Sequence, residues 1–150
     1  MDIKFEKVNR KNKKNVYKIK VKKSQKKHIE TVYESLKEAR KYNFWKPIAI
    51  IINNKYVGFA MYGICKDEKP NGRVWLDRFM IDKNSQNKGY AKKVMPLILD
   101  RLKNEYNCNK IYLSVYEDNK IAIDFYKNFG FQFNGELDIN NEKVMVKDLL

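Results

Sequence analysis

RVWLDRFMIDKNSQNKGYA, residues 73–91, sets a run of apolar and aromatic residues ending at Ile81 directly before a polar loop and Gly89. The apolar and aromatic content of residues 73–82 predicts a central strand. After Gly89, the residues Ala91, Val94, Met95, Leu97, Ile98 and Leu102 recur at helical spacing, which predicts a helix over Tyr90–Leu102. Pro96 inside it lacks a backbone donor and is expected to kink it. A strand, a short loop and a helix start in this order leave unpaired N–H groups and the positive end of a helix dipole facing an anion. Two commoner phosphate loops are excluded, since neither GxxxxGK[ST] nor GxGxxG is present. Taken alone, the junction is equally well a plain helix start with glycine at the bend.

Outward from this junction the chain alternates strands and helices. On the amino-terminal side, Ile3–Val8 alternates apolar and polar residues as a half-buried strand does, and a short Lys-rich helix is expected near Asn12–Ile19. Thr31 is a suitable cap for a helix over Thr31–Tyr42 that carries Val32, Leu36 and Ala39 on one face. PIAIIINNKYVGFAMYGIC (47–65) reads as two strands hinged at Asn53, Asn54 and Lys55. On the other side, KIYLSVY (110–116) reads as a strand and Asn119–Asn128 as a helix stopped at Phe129 and Gly130. FQFNGELDINNEKVMVKDL (131–149) completes the chain as a hairpin turning at Asn140 and Asn141. The crossover through the Gly89 helix allows parallel pairing, so the expected class is a mixed α/β sheet.

Composition narrows the function. The 150 residues fit one domain, 1–150, and 13% aromatic with 43% hydrophobic content excludes a disordered chain. No apolar run reaches the roughly 18 residues of a membrane span, and MDIKFEKVNR has no apolar secretory stretch, so a soluble cytoplasmic protein is expected. The net charge is +14, from 32 basic and 18 acidic residues, which points to an anionic cofactor or a nucleic acid. Residues 1–30 hold 12 Lys and Arg against Asp2, Glu6 and Glu30. That segment also contains Val16, Tyr17, Ile19 and Val21, which suit buried positions, so a solvated basic face is expected there. Cys65 and Cys108 have no His or Cys at metal-ligand spacing, so both read as reduced core residues and no metal is expected. Cys108, His28 and Ser114 do not make a nucleophile and base set by their spacing.

A second motif supports the junction about thirty residues later. Gln86, Gly89 and Ala91 form Q-x-x-G-x-A behind one strand, and Asn119, Ala122, Tyr126, Gly130 and Phe131 form N-x-x-A-x-x-x-Y-x-x-x-G-F behind the next. In this order and on these elements, the chain resembles the GNAT superfamily of acyl-CoA-dependent N-acetyltransferases. KPIAIIINNKYVGFAMYG, NGRVWLDRFMID, KIYLSVYEDN and FGFQFNGELDINNEKVMVK extend the resemblance to bacterial spermine/spermidine (diamine) acetyltransferases; residues 1–28 fit that subgroup least well. The resemblance implies a single-domain α/β GNAT fold, a mixed sheet of about seven strands flanked by about four helices.

It also implies a site. Gln86, Asn87, Lys88, Gly89, Tyr90 and Ala91 would hold the pyrophosphate of acetyl-CoA on backbone N–H groups, with Lys92 and Lys93 close by. Asn87 stands where glycine is frequent and Ala91 replaces the last glycine, and Asn tolerates unusual backbone angles better than most residues. Phe79, Met80 and Ile81 would offer backbone groups to the cofactor arm, and Asn119 would contact it. Tyr126 would give a proton to the departing thiolate. Asp77, or else Glu117, would take the proton of the amine, and Glu30, Tyr33 and Trp45 would line an acidic and aromatic channel for a polyamine. Each carboxylate is equally suited to pairing with a surface lysine. The partners implied are acetyl-CoA and a small amine, with no specific nucleic acid and no membrane, and a homodimer is left open. The alternatives are acetylation of another small amine or a protein amino group, or a basic nucleic-acid-binding domain.

Overall fold

The computed structural model describes residues 1–150. Strand β1 (Ile3–Lys7) is followed by helices α1 (Lys13–Tyr17) and α2 (Val32–Lys41), then strands β2 (Lys46–Ile52), β3 (Lys55–Cys65) and β4 (Arg73–Ile81). Helix α3 (Tyr90–Tyr106), strand β5 (Lys110–Val115), helix α4 (Lys120–Asn128) and strands β6 (Phe131–Leu137) and β7 (Lys143–Asp148) complete it. One sheet contains all seven strands in the order β1-β2-β3-β4-β5-β7-β6. The β2–β3 turn closes at Asn53 and Asn54, both at positive φ (50° and 66°), the backbone that a two-residue hairpin requires and that Asn tolerates.

Apolar side chains on the two faces of the sheet make two cores. Val74 and Leu76 of β4 join Val94, Met95, Ile98 and Leu102 of α3 on one face. Met80, Phe59 and Met61 join Val16 and Ile19 of the amino-terminal segment and Val32 and Leu36 of α2 on the other. α3 runs unbroken through Pro96, contrary to the expected kink, and gains a further turn to Tyr106 before Asn107 ends it at φ 49°. Pro96 lies on the exposed side of the helix, away from the fully buried Met95 and Ile98.

Two irregularities of β4 prepare the site. Met61 pairs with Arg78 and Tyr62 with Leu76, so Asp77 is an extra residue in the strand, a β-bulge. The bulge shifts the alternation: Leu76 faces the α3 core, whereas Met80 faces the α2 core and Arg78 reaches α2. The second is the pairing with β5, the one parallel contact of the sheet, which consists of the single rung Trp75–Tyr112. Beyond that rung β4 and β5 part, and α3 and α4 begin from their diverging ends.

Gly58 of β3 packs against the opposite edge of β4, which stays paired. A Cβ there would stand 2.7 Å from the Met80 carbonyl oxygen and 3.1 Å from side-chain atoms of Ile50 and Ile81. Gly58→Ala is therefore expected to lower unfolding stability by about 1–3 kcal/mol, as overpacking does. Urea unfolding checks this, with the midpoint lowered and the slope unchanged.

Candidate active site

The gap between β4 and β5 opens into a cleft of about 1680 Å³. At one end stands the loop from Asp82 to Gly89. Asp82 starts it by accepting from the Asn84 N–H at 3.1 Å, Asn87 takes φ 63° and Gly89 takes φ 77°. Because Gly89 has no side chain, nothing caps α3, and the N–H groups of Tyr90, Ala91 and Lys92 find no acceptor in the chain. These donors, with the helix dipole behind them, form an anion cradle. On the opposite lip Tyr126 of α4 lines the cleft, its ring edge-on to Phe125 and Phe131. Burial pushes its phenol upward, so the hydroxyl keeps its proton at neutral pH.

The other end of the cleft is acidic. Arg78 places Nη1 2.6 Å from Asp77 Oδ2, Nη2 2.6 Å from Glu38 Oε2 and Nε 3.1 Å from Glu30 Oε2. Three carboxylates thus surround one guanidinium. The turn between β6 and β7 adds Asp138, whose Oδ1 accepts from the N–H of Asn140 and of Glu142, and the half-buried Glu142. Neither Asp138 nor Glu142 has a cationic partner within salt-bridge distance, although the chain carries 32 basic residues. Burial pushes Asp77 up to about 6; Arg78 opposes the rise and Glu38, Glu30 and Asp138 add to it. Burial, then Asp138 and Glu30, push Glu142 up to about 7.

The candidates from sequence fall into two groups. Gln86, Asn87, Gly89, Tyr90, Ala91, Asn119, Tyr126, Phe79, Met80, Ile81, Asp77, Glu30 and Trp45 all line this cleft. Several have a further or different use. Asn119 caps α4 by accepting from the Ala122 N–H at 3.3 Å, and the Gln86 amide is bonded to Gln25 and to the Ile81 carbonyl. The Met80 carbonyl faces Gly58 of β3, so by alternation Phe79 and Ile81 turn their backbone groups toward the gap, where the Ile81 carbonyl accepts from Gln86.

Three candidates lie outside the cleft. Glu117 pairs with Lys143 at 3.1 Å with its side chain 79% exposed, Tyr33 is exposed on α2 and packs on Tyr17, and Lys88 is exposed. Glu38, Arg78, Asp138 and Glu142 were not found from sequence. Cys65 and Cys108 are free thiols; burial pushes Cys65 up to about 12 and Cys108 upward as well.

Residues 14–131 match the Acetyltransferase (GNAT) family. The chain belongs to the GNAT acetyltransferase family. It is similar to a spermine/spermidine N(1)-acetyltransferase of Bacillus subtilis strain 168, 47% identical over 125 residues that make 81% of this chain and 82% of that one. A probable spermine N(1)-acetyltransferase of Bacillus subtilis subsp. natto is 48% identical over the same shares. Among solved structures, an aminoglycoside acetyltransferase in complex with coenzyme A superposes with a TM-score of 0.80 at 14% identity, over 98% of this chain and 95% of that one. The PaiA N-acetyltransferase of Thermoplasma acidophilum gives 0.66 at 14% identity, over 99% of each chain. At these identities the two structures share the GNAT fold.

A GNAT enzyme takes its acetyl group from acetyl-CoA, and the cleft fits that molecule at its phosphate end. The unsatisfied N–H groups at the start of α3 match a pyrophosphate, and Lys92 lines the same wall. No group of His, Cys, Asp and Glu side chains in the chain is arranged to hold a metal ion.

The Arg78 cluster carries its own test. Its side chain is 11% exposed, and Asp77, Glu38 and Glu30 depend on it for compensation. Arg78→Met is expected to cost about 2–3 kcal/mol at pH 7.5, below the value for a fully buried pair because Glu30 and Glu38 keep solvent contact. The loss should shrink at pH 5.5, where Asp77, held up at about 6 by burial and no longer opposed by Arg78, takes up a proton. Urea unfolding of both proteins at the two pH values measures it.

Proposed function

We propose that the protein transfers the acetyl group of acetyl-CoA to a primary amine of a polyamine such as spermidine or spermine. The observation that carries this reading is the acidic end of the cleft. Half of the chain's 18 acidic residues line the cleft, and Asp138 and Glu142 stand there without a cation. Three carboxylates on one guanidinium, with Asp138 and Glu142 added from the β6–β7 turn, leave a local negative charge within a protein of net charge +14. Such an arrangement is stabilised by a multiply charged cation. The likeness to spermine and spermidine acetyltransferases agrees with it. The Lys-rich amino terminus does not favour the nucleic-acid reading, because Val16 and Ile19 are 0% and 3% exposed and tie that segment to the domain.

The residues divide the chemistry between them. Acetyl-CoA supplies a thioester carbonyl and a thiolate leaving group. An amine attacks only after losing a proton, and Asp77, at about 6, is ionised at neutral pH and able to accept it directly or through a water. Tyr126 keeps its phenolic proton and holds it for the departing sulfur. Glu142 and Asp138 hold ammonium groups farther along the chain of the substrate. Both substrates fit one cleft, so no covalent enzyme intermediate is needed.

Release of thiol from acetyl-CoA across a panel of amines tests the reading. Spermidine and spermine are expected to outrun monoamines and peptide amines, and equal rates across the panel would reject the acidic-channel model. On the best acceptor, Tyr126→Phe should lower kcat about tenfold to a thousandfold with CoA affinity little changed.

Binding should also release protons. At pH 6.5 Asp77 is largely ionised and Glu142 largely protonated, and a polycation beside them lowers both pKa values. Spermidine binding at pH 6.5 should therefore expel on the order of one proton. Titration calorimetry in two buffers of different ionisation enthalpy reads this number, and Glu142→Gln should remove most of it.

A further inference from the structure

The segment from Lys20 to Glu30 crosses the gap and touches both of its lips. At the cofactor loop, the Lys20 N–H donates to Asp82 Oδ1 at 2.9 Å and the Lys83 N–H donates to the Lys20 carbonyl at 2.7 Å. Gln25 and Gln86 join their side-chain amides face to face: Gln86 Nε2 donates to Gln25 Oε1 at 2.9 Å, and Gln25 Nε2 donates to Gln86 Oε1 at 3.3 Å. Three residues later His28 Nε2 lies 2.9 Å from Asp118 Oδ1, beside the start of α4. The strap ends at Glu30, on Arg78, and at Thr31, which caps α2.

Val21 near its start and Ile29 near its end pack half-buried against the α2-side core, and little else holds the strap. From Lys20 to Glu30 no residue is fully buried, and its regular structure is one 3-10 turn at Lys23–Gln25. Between these two apolar anchors its position rests on a few polar contacts, the property of a segment with low local stability. Gln86 is the connection of greatest consequence. Its Nε2 donates both to Gln25 and to the Ile81 carbonyl, so a single amide links the strap, the end of β4 and the loop that leads into α3.

We propose that Gln25 is a positioning residue that couples the two substrate sites: through its paired amide with Gln86, occupancy of the loop before α3 holds the strap down and sets Glu30 at the acceptor end. The proposal rests on the reading of the cleft as a polyamine acetyltransferase site. A ligand at either end orders the strap, and the second ligand is then spared that cost, which gives positive coupling without any contact between the two. By linkage each ligand tightens the other by the same factor.

The experiment is a binding cycle on the full chain by calorimetry, with CoA and spermidine each titrated alone and in the presence of the other. The parent is expected to show mutual tightening of about fivefold or more. Gln25→Ala should bring that factor toward one, while CoA alone binds within about threefold of the parent. Gln25→Glu keeps the acceptor for Gln86 Nε2 and should recover part of the coupling. Hydrogen exchange adds a readout that does not depend on turnover: the two ligands together should protect the amides of residues 20–28 in the parent and fail to do so in Gln25→Ala. If both ligands bind the parent and do not tighten one another, or if Gln25→Ala retains the parent's factor, the coupling proposal is wrong and the site reading stands. If neither ligand binds the parent, the site reading fails and the proposal with it.

Discussion

Two parallel strands bonded at one rung and free beyond it must part, and everything functional in this chain follows from the rung between Trp75 and Tyr112. β4 does not become loose where it leaves β5, because β3 holds its other edge from Gly58–Ile81 to Cys65–Arg73. The gap therefore has a stiff wall with unpaired backbone groups. The helices that follow β4 and β5 both start at this open end, so one lip offers N–H donors and the other offers Tyr126. A ligand site at the diverging carboxyl ends of parallel strands is the general outcome of such topology.

The bulge at Asp77 does the second part of the positioning. One inserted residue turns Arg78 toward α2 and lets a single guanidinium gather carboxylates from α2, from the strap and from its own neighbour. Arg78 is the reason that so much acid can be assembled in one place. It neutralises part of the charge and leaves the β6–β7 turn to supply the rest. The basic excess of the chain lies elsewhere, and the cleft reverses its sign locally.

Much of this frame was legible in the sequence because local chemistry decides it. Asn53 and Asn54 mark a hairpin through the backbone they tolerate, and the apolar period after Gly89 marks α3. The motif residues Gln86, Gly89, Ala91 and Tyr126 lie on the same cleft because each sits at a fixed offset from a strand end. Glu38, Asp138 and Glu142 were not legible, since they meet Asp77 only once the order β5-β7-β6 and the α2 layer are known. Glu117 misled for the same reason: standing at a strand end does not say which side of the sheet a side chain takes. Tyr33 was a different case. Val32 and Leu36 define the buried face of α2, and the helical period already places Tyr33 off it. Pro96 was overestimated, because the sequence shows the missing donor and not the solvent-facing side on which it falls.

The two thiols have a practical side. Cys65 lies on the cleft wall and Cys108 near the end of α3, and burial keeps both protonated well above neutral pH. A thiol attacks a disulfide dye as its anion, so these side chains are slow partners for such reagents. Free CoA, with an unburied sulfhydryl, reacts first. The protein should thus add little to a colorimetric thiol measurement, and mild alkylating conditions that would cripple a cysteine enzyme should leave its cleft open.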